Sequence, residues 1–269
     1  MSVKSFARLF VMVVIVGVLV FAVGCITIVA PGVGPGIAGS GTLETREMDF
    51  TGFTKVQAGY ACQIDISRAT SFFVSITLDD NLFEYLDARM VGNTLYLGLQ
   101  PNNNYRNFTH RATITMPELS GLELSGASRG DVSGFSSTDS LRLEASGAST
   151  LSIDDLVAGD TRLVLSGASR ATGSIEMANG DFEVSGASSV DLEGNADDIS
   201  LEVSGASTAR LADFPVDNAD VEVSGASNAT VNVSGTLDIN VSGVSTLYYV
   251  GSPTLGRLSV SGGSRVSQR

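Results

Sequence analysis

Beyond residue 120 the chain repeats one pattern of apolar and polar positions. The tetrapeptide Ser-Gly-small-Ser begins at Ser125, Ser146, Ser166, Ser185, Ser204, Ser224, Ser242 and Ser261, at steps of 21, 20, 19, 19, 20, 18 and 19 residues. Three residues ahead of it stand Leu122, Leu143, Leu163, Phe182, Leu201, Val221, Ile239 and Leu258. One residue ahead stand Leu124, Ala145, Leu165, Val184, Val203, Val223, Val241 and Val260. Successive residues of a strand face opposite sides, so these two positions point inward and the residue between them points out. Apolar residues return at alternate positions after the tetrapeptide, as in Leu151 and Ile153, or Val190 and Leu192. Each unit therefore predicts a strand, a glycine corner, a second strand and a variable turn.

A unit of this length cannot bury its own apolar face, so neighbours must stack and pair in register. The expected fold is all-β: a single-stranded parallel β-helix, or β-solenoid, of right-handed coil with about 19–20 residues per rung. Glycine at the second corner position in all eight copies suits a backbone with positive φ or no room for a Cβ. The flanking serines are expected to stack into ladders that bond corner backbone groups or each other. Leucine-rich repeats share the period, but their consensus is missing.

Residues 42–120 read as an N-terminal β region of the same domain, with strand patterns at 56–66, 72–78, 94–99 and 112–116. Residues 79–90 could make a helical turn or two, with Leu82, Phe83 and Leu86 on one face. Residues 121–269 are the repeat solenoid. Ahead of both, Lys4 and Arg8 precede an unbroken apolar run at 9–23, the layout of an export signal spanning 1–24. The run ends in Ala22, Val23, Gly24 and Cys25, which resembles the lipobox of bacterial lipoproteins and marks Cys25 for lipidation. Retention of residues 9–30 as a membrane helix, or release as a secreted form, are the alternatives. Residues 25–41 hold the lipidated cysteine and a Gly/Pro linker that lifts the domain off the membrane. The expected address is the cell envelope, membrane-anchored and facing the periplasm or cell exterior.

Charge narrows the partners. Twenty-nine Asp and Glu against 16 Lys and Arg give a net charge of −13, which disfavours nucleic acid. The single histidine, His110, lies in a polar loop and is expected to be solvated; it precedes every repeat, so the Gly-x-Ser-x-Gly at Gly126–Gly130 lacks a triad partner. Cys62 alternates with polar neighbours and reads as a buried strand residue without chemistry. The outward position of the repeat carries Glu123, Glu144, Glu183, Glu202 and Glu222, a candidate face for a weakly held divalent cation or a cationic partner, or simply a solvated acidic stripe. No cofactor motif and no metal centre are expected.

Residues 112–128, which run Met-Pro-Glu-Leu into the first Ser-Gly-Ala-Ser, together with residues 53–57 and 80–86, resemble the head GIN domain family of bacterial auto-transporter adhesin heads, a family of unknown function. The resemblance spans about residues 43–264. It implies a surface-exposed or periplasmic β-helical domain, frequently on a lipoprotein, with no established enzyme activity and no catalytic residues to carry over. The resulting expectation is a non-enzymatic, surface-anchored solenoid that binds a glycan or an envelope protein. A structural lipoprotein without a ligand is the next reading. A carbohydrate-active enzyme comes third, because Trp is absent and no basic residue is seen clustered with the acids.

Overall fold

The computed structural model describes residues 36–269. The segments expected to be an export signal, a lipidated Cys25 and the linker up to residue 35 lie outside the described residues. Within them the chain is a parallel β-solenoid. From residue 121 onward each unit pairs with the next in the register the repeat requires. Leu122 lies against Leu143, Leu143 against Leu163, Leu163 against Phe182, and the column continues through Leu201 and Val221 to Ile239. These side chains and those of the second inward column are buried, giving one continuous apolar core along the coil. The last copy departs from the rest, since Leu258 and Val260 keep the register but remain exposed.

Each rung closes through its corner glycine. Gly126, Gly147, Gly167, Gly186, Gly205, Gly225, Gly243 and Gly262 all have φ between 70° and 79°, where any Cβ is strained. A second constraint comes from stacking. The carbonyl of Gly186 accepts the N–H of Ala206 at 2.7 Å, which draws the rungs so close that a Cβ on Gly205 would lie 2.4 Å from that carbonyl oxygen. The serine that ends each of the first seven corners is buried, as expected for a ladder. Ser128, Ser149 and Ser169 donate to the carbonyl three residues back at 2.8 Å. Further along, the hydroxyls of Ser188, Ser207 and Ser227 each accept the N–H of the preceding rung's serine at 3.3 Å.

The solenoid also extends into the N-terminal region, out of chain order. Lys55–Ala58 and Gln63–Arg68 form a rung placed between Gly121–Leu124 with Arg129–Ser133 on one side and Thr94–Leu99 with His110–Met116 on the other. The stretch 56–66 is thus two strands around a corner. In that corner Tyr60 and Ala61 take positive φ in place of glycine. Cys62 stands where later rungs hold the ladder serine, and His110 continues the same column. Cys62 is buried as expected, although at a corner rather than within a strand, and burial pushes its thiol up to about 12. His110 corrects the expectation of a solvated loop residue. It opens a strand, is 2% exposed, and neither ring nitrogen has a bonding partner. Burial lowers its pKa to about 4, an effect the nearby Tyr60 backbone offsets only in part.

Antiparallel strands cover the outer rung. Leu86–Val91 pairs with Thr94–Leu99, and Phe73–Asp79 pairs with both His110–Met116 and Leu43–Glu47. The helical turn expected at 79–90 is a short 3-10 segment, Asp80–Tyr85, and Leu86 already belongs to a strand. The end of the presumed spacer is held to this cap. Ile37–Ala38 pairs with Tyr105–Arg106, and the buried Asp79 carboxylate accepts the N–H groups of Gly41 and Thr109 at 2.7 Å each.

Three outcomes follow. Gly205→Ala should destabilise the fold by at least about 3 kcal/mol, the left-handed penalty plus the inter-rung clash. At Gly134 φ is also positive but nothing lies within 4 Å of a Cβ, so Gly134→Ala should cost about 1–2 kcal/mol; denaturant titration of both variants compares them. The unfolded chain protonates His110 near pH 6.5 and the folded chain only near 4, so this residue's contribution is complete above 6.5 and falls through that window. The loss should be about 3 kcal/mol by pH 4 and absent from His110→Leu, read as the difference between their stability–pH curves. The Cys62 thiol should react with a thiol-specific reagent only after denaturation, which a timed labelling assay checks.

Candidate functional site

Two outward columns run side by side along one face of the solenoid. The first follows the register through Tyr96, Gln57, Glu123, Glu144, Val164, Glu183, Glu202 and Glu222 to Asn240. The repeat places these side chains outward because their neighbours on either side feed the core. The second column, two residues earlier in each strand, runs Thr94, Lys55, Gly121, Arg142, Arg162, Asp181, Ser200 and Asp220. Lys55, Arg142 and Arg162 therefore stand beside the acids. The sequence reading saw no such cluster, because 66 residues separate Lys55 from its partner Gly121.

The five glutamates do not form one uniform stripe. Arg142 pairs with Glu144, and Arg162 pairs with both Asp181 and Glu183. The Gln57 amide donates to Glu123 at 3.2 Å. Glu123 is half-buried, and loss of water around it raises its pKa, with the neighbouring Glu144 adding to the effect and Arg142 opposing it. Glu202 and Glu222 stack in register beyond this cluster. Among the described residues no three His, Cys, Asp or Glu side chains converge as metal ligands.

Gly121 leaves a gap in the second column between Lys55 and Arg142. A Cβ there would touch Lys55 Cγ at 3.4 Å and the Arg142 carbonyl at 3.5 Å, so any larger side chain would fill the space. The gap opens a hollow of about 210 Å³ lined by Lys55, Gln57, Tyr96, Glu123, Arg142 and Glu144. Lys55 and Arg142 also border a broader concavity of about 730 Å³ that reaches Arg162, Asn179 and Asp181. On the other side, Gln57 and Tyr96 border a third of about 260 Å³ that includes Tyr60, Asp87 and Arg89. Lys55 and Arg142 wall the first hollow from the second, and Gln57 and Tyr96 wall it from the third, so the three lie in a row across the rungs as a segmented groove. The Arg89 guanidinium lies over the Tyr96 ring, 5.0 Å from its centroid, and Tyr60 is 40% exposed.

Sequence reasoning located the glutamates but missed both tyrosines and the four cations Lys55, Arg89, Arg142 and Arg162. Tyr60 belongs to the out-of-order rung and Tyr96 to the outer rung beneath the cap, where the repeat gives no guide. Cys25 lies outside the described residues.

A family model described as "Putative auto-transporter adhesin, head GIN domain" matches residues 52–253. No curated protein matches the sequence. Among solved structures, a Parabacteroides distasonis protein named as a "Putative lipid binding protein" superposes with a TM-score of 0.82 at 19% identity, covering 87% of this chain and 100% of its own. A "putative adhesin" from Parabacteroides merdae gives 0.80 at 16% identity, with 88% and 100% covered. Another from Bacteroides fragilis gives 0.69 at 24%, with 87% and 100% covered. At these identities the likeness establishes the fold.

Proposed function

The chain belongs to this head GIN domain family, and from that premise we propose that it is a non-enzymatic, envelope-anchored binding module whose groove holds a glycan. The observation that carries the reading is the groove itself. Carboxylates, guanidinium groups and an amide meet there beside two tyrosine rings, on strands fixed by the solenoid. Sugar hydroxyls match the paired oxygens and N–H groups of such side chains, and the C–H faces of sugar rings match aromatic surfaces. The names of the neighbours support adhesion for two and lipid binding for one. The charged lining here suits polar ligands better than acyl chains. Anchoring through Cys25 would place the groove outside the cell.

One observation favours a second reading, a carbohydrate-active enzyme. Glu123 and Glu144 stand in register in the hollow, the first with a raised pKa and the second paired with Arg142, the asymmetry that an acid and its partner carboxylate require.

A glycan array probed with the chain separates these readings. The expected result is selective binding that falls at least about tenfold in Arg142→Ala and in Tyr96→Ala and persists in Glu222→Gln. The bound glycan should be recovered intact. Cleavage that Glu123→Gln abolishes would replace binding with catalysis, and the absence of any groove-dependent binding would leave an envelope protein without this ligand.

A further inference from the structure

The last rung, Thr254–Val260 and Arg265–Gln268, ends unlike the first. Leu255, Leu258 and Val260 continue the inward columns of Leu237, Ile239 and Val241, yet they are 42%, 53% and 46% exposed. Their strands pair on one side, with Thr236–Val241 and Thr246–Val250. Among the described residues nothing pairs on the other side, so backbone N–H and C=O groups stand there at the spacing another strand requires. At the opposite end the antiparallel cap lies over the outer rung, and Leu95, Leu97 and Ile114 are buried.

Charge narrows the occupant. Residues 254–269 hold Arg257, Arg265 and Arg269 and no Asp or Glu, in a chain of net charge −13. A second copy docked end to end would set these arginines against their equivalents. Residues 1–35 contain no acid to answer them. A bilayer would attract the arginines but leave the ladder groups unpaired.

We propose that the C-terminal end of the solenoid is a strand-acceptor site, which takes an extended segment of a partner protein with alternating apolar and acidic residues as its next rung. An added strand pairs the free ladder groups, covers the three exposed apolar side chains and neutralises the arginines in one step. The chain contains a segment of this kind. Residues 216–223 point Ala219, Val221 and Val223 inward and Asp220 and Glu222 outward, and they stack on Thr236–Val241. From the rung beyond, Arg257 already reaches Asp220 at 3.4 Å.

The test is a labelled peptide with the sequence of residues 216–223, titrated into the full-length chain by fluorescence anisotropy and followed by amide hydrogen exchange. Saturable binding that slows exchange across residues 254–260 is expected. The affinity should fall at least about tenfold when alternate peptide nitrogens are methylated, when its acids are replaced by lysine, or in the double variant R257E/R265E. Failure of the peptide to bind, or binding that leaves exchange at 254–260 unchanged or survives methylation, would overturn the proposal. So would a chain already dimeric through this end, or one whose last rung is protected by phosphatidylglycerol vesicles and not by the peptide.

Discussion

The carbonyl oxygen of each corner glycine accepts the N–H of the third corner residue in the next rung, at 2.7–2.8 Å wherever two such glycine corners stack. That contact sets the distance between rungs and leaves no volume for a side chain at the stacked glycine. Positive φ alone would demand glycine once; here the neighbour's carbonyl demands it again at each level. Because the corner is rigid, the strands on either side enter in fixed register, and register decides which side chains share a column. The core, the serine ladder and the groove all follow from it. A one-residue slip would send the inward leucines and valines to solvent and the glutamates into the core.

This constraint explains what could be read from the sequence. Wherever the corner recurs, its flanking residues announce their own orientation, so the inward pair Leu201 and Val203 and the outward Glu202 were assignable without coordinates. The rung at 55–68 was illegible because Tyr60 and Ala61 supply positive φ without glycine and Cys62 replaces the ladder serine. His110 looked like a loop residue because its polar neighbours precede it, while the strand expected at 112–116 begins two residues earlier, an extension that shows only in the pairing of His110 with Leu78. The Lys55 part of the groove was hidden for a related reason, since Lys55 meets Gly121 across the sheet and no local pattern records that pairing, whereas Arg142 and Arg162 lie within the repeat, two residues before its outward position.

The electrostatics of the groove arise from the same geometry. Parallel stacking brings like residues together, and two carboxylates one rung apart repel by roughly 0.9 kcal/mol even at the dielectric constant of water. Along the first three glutamate-bearing levels the neighbouring column answers that repulsion with Arg142 and Arg162. Exposed pairs of this kind contribute little to stability, with a median of about 0–1 kcal/mol. Their more useful consequence is orientation, since Arg162 is fixed by two acids and Glu123 by Gln57. Polar groups held in place before a ligand arrives lose less freedom when it binds.

The two ends of the coil show how a solenoid handles its edges. At the first rung, antiparallel strands and a 3-10 segment consume the pairing groups and bury the apolar columns. In the rung at 254–268 Leu255, Leu258 and Val260 of the inward columns are exposed, and the acidic bias of the chain reverses into three arginines. Charge on an edge strand is also a guard against aggregation, and both roles rest on the same side chains. Arginine repels a second copy of its own end while attracting an acidic strand, so one feature excludes the unwanted neighbour and selects the permitted one.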